Sequence, residues 1–175
     1  IDIDRLRPVA DSVGALLLED AAHSIGSTYQ GRAVGSLADI TTFSFFPTKN
    51  MTTAEGGAVS ALDPDLLLRA RRFRTIGLVR DPGSLRYPDE GPWHQEVHEF
   101  GLNYRLPDVL CALGSAQLTR LEAFKARRWE ITRRYDAALA DVAGISTPVR
   151  RDDVDPCFHL YPLRVKEGRR REVFE

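Results

Sequence analysis

Four residues in this sequence could act together on one cofactor: Asp20, His23, Ser44 and Lys49. Lys49 lies in Phe43-Ser44-Phe45-Phe46-Pro47-Thr48-Lys49-Asn50, just after an apolar, aromatic run. Amines placed beside a pocket in this way become nucleophilic when partly buried or near other positive charge. They then form Schiff bases with carbonyls, including the aldehyde of pyridoxal phosphate (PLP). Lysine is scarce here: Lys49, Lys125 and Lys166 stand against 21 arginines. Asp20 ends another apolar run, where a carboxylate can pair with a cationic ring nitrogen. PLP needs such a partner, because protonation makes its ring a better electron sink. Ser44 can donate its hydroxyl to a phosphate. His23 can stack on a planar ring or hydrogen-bond its phenolic oxygen. Each residue alone also has a plainer role: a surface lysine, a capping or surface carboxylate, a satisfied histidine.

Other chemistries lack their motifs. There is no GxGxxG and no GxxxxGK[ST], which excludes a dinucleotide or P-loop site within this segment. His94 and His98 are four apart, but Gln95 stands where a zinc-protease helix needs Glu. Ser115 lacks the second glycine of a nucleophile elbow. Cys111 and Cys157 match neither a zinc spacing nor a disulfide framework, so a reducing, cytoplasmic setting is expected.

The elements that must position these residues read as alternating helices and strands. A short helix is expected over 4–13. Ala15 to Leu18 reads as a parallel strand buried on both faces. Tyr29 to Arg32 reads as a turn, and Ile40 to Phe46 and Gly56 to Ala61 as strands. Asp63 and Pro64 open a helix that ends at Gly77. Residues 80–98 read as a long loop. Helices follow from Pro107 to Leu118 and on to Val142. The arginines 127, 128, 133 and 134 read as a solvated face of the second. Phe158 to Val165 alternates like a strand. The pattern predicts an α/β layered fold, in which ligands sit beyond the carboxyl ends of strands. Glu19-Asp20 and Ser44 to Lys49 have that placement.

The 175 residues suit about one domain, and 43% hydrophobic with 28% charged residues is a globular composition. A formal net charge of -1 gives no reason to expect nucleic acid or an anionic membrane as partner. No apolar stretch is long enough for a transmembrane helix. Both ends fall inside apparent elements, so a fragment of a longer chain is expected, with exposed apolar edges and poor solubility.

Several ordered motifs resemble the DegT/DnrJ/EryC1/StrS family of PLP-dependent nucleotide-sugar aminotransferases. They are Glu19-Asp20-Ala21-Ala22-His23-Ser24, Gly35 to Asp39, Phe43 to Asn50, and Thr52-Thr53-Ala54-Glu55-Gly56-Gly57. Gly101-Leu102-Asn103-Tyr104-Arg105-Leu106 and Ala112 to Leu118 extend the likeness over almost the whole chain. The resemblance implies a fold-type I aminotransferase large domain, partial here. Residues 1–145 would be its C-terminal part and 146–175 the start of a small C-terminal domain. It implies that Lys49 anchors PLP and shuttles the proton, Asp20 holds the pyridinium proton, His23 contacts the ring near its phenolic oxygen and Ser44 binds the phosphate. Asn103 would reach the phosphate of a neighbouring subunit's cofactor, implying a homodimer with shared sites. Taken alone, the fragment is expected to be inactive.

Arg74 to Gly77, Arg80-Asp81-Pro82 and Gly91 to Glu96 are similar to one branch of that family. The branch aminates C4 of a UDP-linked 4-keto-6-deoxy-N-acetylhexosamine, with glutamate as donor, on the route to pseudaminic acid. Three alternatives stay open. One is another nucleotide-sugar aminotransferase of the family. A PLP-dependent sugar dehydratase would carry histidine in place of Lys49. A degenerate homologue would bind PLP or a sugar nucleotide without turnover.

Overall fold

In the computed structural model, which describes residues 1–175, Asp2 caps helix α1 (Ile3–Ser12) by accepting the Arg5 backbone N–H. Arg7 of α1 donates to both oxygens of Asp39, at 2.9 and 2.8 Å. Asp39 also accepts the Leu17 N–H at 2.7 Å. One carboxylate thus ties the helix to the start of the sheet.

That sheet holds β1 (Leu18–Asp20), β4 (Ile40–Ser44) and β5 (Gly57–Ala61) in the order β1-β4-β5. β1 and β4 run parallel, with Asp20 in register with Thr42. β5 returns antiparallel, with Gly57 opposite Ser44. The expectation that the Ala15–Leu18 run is buried on both faces is not met. Leu16 is 60% and Leu18 64% exposed, and the strand proper begins only at Leu18. Nothing in the chain covers them.

Gly57 is required by close approach. A methyl group at this position would lie 2.5 Å from the Phe43 carbonyl oxygen. Gly57→Ala must push β5 off β4 beside Ser44. The expected cost is about 2 kcal/mol, read as a lower thermal midpoint.

Between β1 and β4, β2 (Thr28–Tyr29) and β3 (Arg32–Ala33) form a hairpin. Its turn places Gln30 at φ 49° and Gly31 at φ 75°, the both-positive pattern that matches strand twist. Tyr29 packs with Ile3 and Leu37 in a small core.

Helix α2 (Pro64–Phe73) starts on the Asp63 cap as expected but ends at Phe73, short of Gly77. Leu102 N–H bonds the Phe73 carbonyl and Tyr104 N–H that of Arg74, so a neighbouring segment takes over the helix's last acceptors. The expected 80–98 loop is not wholly irregular: its residues Glu96–Val97 form β7, which pairs antiparallel with β6 (Leu78–Val79) and closes the segment.

Helices α3 (Asp108–Leu118) and α4 (Leu121–Leu139) follow. The arginine face of α4 is only partly solvated. Arg128 is half-buried and donates to the Phe158 carbonyl at 2.7 Å, whereas Arg127 pairs with Glu130. Lys125 is buried on the same helix. It donates to the Gly26 carbonyl at 2.8 Å and to Asp155 at 2.6 Å.

Past Gly144, β8 (Ile145–Ser146) pairs with β10 (Arg164–Val165), and β9 (Val154–Asp155) adds to the β2–β3 hairpin. The expected strand over Phe158–Val165 is therefore confined to its last two residues. Residues 158–163 spend their polar groups on α4 instead, through Arg128 and through the Tyr161–Asp136 hydrogen bond. A short α5 (Arg170–Phe174) closes the chain. No helix is long and apolar enough to cross a membrane.

Candidate functional site

Parallel pairing puts the carboxyl ends of β1 and β4 on one edge of the sheet. Asp20 is opposite Thr42, so the two side chains share a face, and Ser44, two residues on, shares it too. Glu19 and Thr41 take the other face, where the Thr41 hydroxyl donates to Glu19 at 3.4 Å. Asp20 Oδ1 accepts the Ala22 N–H at 3.0 Å, and no protein donor reaches Oδ2. Ser44 Oγ has only a 3.5 Å contact from the Phe46 N–H.

Lys49 is set by a turn between the strands. The Phe45 N–H continues the ladder to Gly56, and the Lys49 N–H bonds the Phe46 carbonyl at 2.9 Å. The residues after it anchor the turn: Asn50, Met51 and Thr53 are all buried. Lys49 itself is half-buried and in no ion pair. Asn50 Nδ2 lies within reach of three carbonyls, His23 at 3.3 Å, Ile25 at 3.4 Å and Cys157 at 2.7 Å. It fastens the Lys49 turn to the loop that carries His23.

Four of the five sequence candidates thus converge on neighbouring segments, Asp20 and His23 exposed, Ser44 and Lys49 half-buried. Asn103 does not join them. It bridges to Thr75, accepts from Arg105 Nε at 2.9 Å and is exposed. A cavity of about 140 Å³ lies beside Tyr29 under α1, and one of about 170 Å³, lined in part by His159, lies between α4 and Phe158–Tyr161. Asp20, Ser44 and Lys49 line neither.

The donor set fits PLP. A carboxylate with a free oxygen suits a cationic ring nitrogen, an uncommitted hydroxyl suits a phosphate, and an unpaired amine suits an aldehyde. Two neighbours of the site, Asn50 and His159, are not among the sequence candidates. Asn50 follows Lys49 directly, and that adjacency is the one signal that could have found it. His159 sits in an apolar stretch, and its approach to His23 depends on a contact across more than a hundred residues.

Beyond the site, Glu96 organises the 80–98 segment. It accepts the Arg86 and Tyr87 backbone N–H groups, each at 2.8 Å, and bonds His94 at 3.1 Å and His98. Burial pushes its carboxyl up, but the bonds from His98, the two N–H groups and His94 outweigh this and hold it at about 2. With a depressed folded value, the stability this carboxylate contributes is complete above its ordinary 4.5 and is lost as pH falls through about 2. Glu96→Gln removes the charge at every pH. Cleavage of the Pro82–Glu90 stretch at pH 7 is expected to rise roughly tenfold in limited proteolysis, while the unmodified protein resists until strongly acid pH.

The model of the DegT/DnrJ/EryC1/StrS aminotransferase family matches residues 1–175. A UDP-4-amino-4,6-dideoxy-N-acetyl-beta-L-altrosamine transaminase of Campylobacter jejuni is 37% identical over 93% of this chain and 41% of its own. GDP-perosamine synthase of Caulobacter vibrioides is 36% identical over 95% and 42%. Among solved structures, Helicobacter pylori PseC, an aminotransferase of pseudaminic acid biosynthesis, superposes with TM-score 0.86 at 29% identity, over 97% of this chain and 43% of its own. A sugar aminotransferase from Streptococcus pneumoniae, solved in its PLP form, gives 0.82 at 28%, over 95% and 45%. The chain spans about two fifths of the length of the curated relatives it matches.

Proposed function

The chain belongs to the DegT/DnrJ/EryC1/StrS aminotransferase family, a PLP-dependent family, and on that premise we propose that it carries the cofactor-holding part of a sugar aminotransferase. The reaction moves an amino group from glutamate to a keto group of a nucleotide-linked deoxysugar, giving 2-oxoglutarate and an amino sugar. The observation that carries this reading is the shared edge of the sheet. Asp20 and Ser44 stand on one face of adjacent parallel strands, and Lys49 follows on the anchored turn.

Bound PLP supplies an aldehyde for amines and a ring that accepts the electron pair left when a proton leaves the substrate carbon. The Asp20 carboxylate would keep the ring nitrogen protonated through its free oxygen. The Ser44 hydroxyl would donate to the phosphate, and His23 would contact the ring near its phenolic oxygen. Lys49 Nζ would hold the aldehyde. The same amine would serve as the base for the proton on the donor's Cα. Asn103 serves the phosphate in a second copy of the chain, which makes the enzyme a homodimer with shared sites. Residues 1–145 belong to the large domain and 146–175 begin the small one. The free thiols of Cys111 and Cys157 suit a cytoplasmic setting.

For the substrate we propose C4 of a UDP-linked 4-keto-6-deoxy-N-acetylhexosamine. Support comes from the Arg74–Gly77 and Gly91–Glu96 segments and from the Campylobacter relative. The GDP-sugar relative is matched at nearly equal identity, so the test offers both nucleotides. The protein at its full natural length is given glutamate and UDP-, dTDP- or GDP-linked keto-sugars. Fastest 2-oxoglutarate release with the UDP sugar is expected. Preference for another nucleotide rejects the substrate but keeps the reaction. No transfer to any of them favours a binding homologue.

A further inference from the structure

His159 takes no part in the chemistry described above, yet it is built against the site. The Cys157 N–H donates to Ser27 Oγ at 2.8 Å, and the Cys157 carbonyl accepts from Asn50 at 2.7 Å. From the other side, Arg128 holds the Phe158 carbonyl at 2.7 Å. Residue 159 is therefore pinned to the His23 loop, the Lys49 turn and α4 at once. Its ring lies 4.3 Å from that of His23, centroid to centroid, tilted by 51°. Its Nδ1 is buried and has no hydrogen-bond partner. An orphaned buried nitrogen is costly, and a site that retains one needs an explanation. Here the ring serves by packing rather than by bonding.

We propose that His159 is a positioning residue: its neutral ring packs against His23 and fixes the plane in which His23 meets the cofactor. The inference rests on the PLP reading above. The groups that act on His159 are His23, Lys49 and Arg128, all of them basic. Burial first, and then these three, push its imidazole below the ordinary 6.5. The sign follows from linkage. The neutral arrangement is fully stable above 6.5 and is lost as pH falls through the lowered folded value. Protonating His159 puts an unpaired charge beside Lys49 and breaks the ring contact, so His23 loses its support. Mild acid should then release the cofactor.

The test uses the protein at its full natural length, loaded with PLP, and two variants, His159→Ala and His159→Phe. PLP retention is followed by visible absorbance after dialysis from about pH 5 to 8. Borohydride reduction followed by peptide mapping is done in parallel. His159→Ala should loosen PLP about fivefold to tenfold at pH 8, because the ring contact is gone. His159→Phe should restore retention and abolish its fall in acid, because phenylalanine stacks but does not titrate. If His159→Ala fails to fold, the phenylalanine variant and its pH profile carry the test alone. Retention and pH profile unchanged in both variants, with wild-type label on Lys49, would overturn the positioning role and leave the PLP reading intact. An acid step that persists in His159→Phe overturns it equally. Absence of label on wild-type Lys49 overturns both.

Discussion

Lys49→Ala in the full-length protein is expected to reduce amino transfer by about 10⁴-fold or more, to the level of free PLP in solution. The size of the effect follows from the lysine inventory. Only two other lysine amines exist in this chain. Lys125 is buried on α4 with its amine committed to Gly26 and Asp155. Lys166 follows β10, where its backbone N–H is bonded to Gly144. Neither lies on the β4–β5 turn, where the proposed base and anchor sits. Lys49→Arg separates charge from chemistry. Arginine keeps the positive charge but remains protonated and cannot anchor an aldehyde, so it should be as inactive as alanine. Activity within about tenfold of wild type in either variant would reject the role.

Asp20→Asn should slow transfer by about 10²- to 10³-fold while leaving much of the cofactor bound. Asparagine is nearly isosteric and can keep the Ala22 N–H bond, so β1 and its register should survive. What it loses is the negative charge proposed to hold a proton on the ring nitrogen. The electron sink weakens, and proton loss from the donor's Cα slows with it. Single-turnover loss of the PLP absorbance with glutamate measures that step directly. A wild-type rate in the variant would remove Asp20 from the ring nitrogen.

How much of this is legible in the sequence depends on the range of the contacts involved. Asp20 and Ser44 stand out because an apolar run followed by a polar residue marks a strand's carboxyl end, and that signal is local. The Asp63 cap of α2 is legible for the same reason. The burial of β1 is not, because composition marks a run as apolar without saying what covers it. The end of α2 and the 158–163 stretch differ from expectation because their backbone groups are satisfied by distant partners, Leu102 and Arg128. Arg128 itself reads as solvated because helical spacing cannot reveal a carbonyl from another segment. Asn50 and His159 are the same case within the site. Their types are ordinary, and their meaning lies in contacts with Cys157 and His23 that no short-range pattern encodes.

Everything proposed for the site depends on Lys49 anchoring PLP at the edge formed by β1 and β4. Borohydride reduction of the full-length protein in the presence of PLP, followed by peptide mapping of the pyridoxyl mass, examines that point without needing the sugar. Label is expected on Lys49, with none on Lys125 or Lys166. A folded protein with no label on Lys49 would contradict the anchoring role and leave a homologue that does not use this lysine for chemistry.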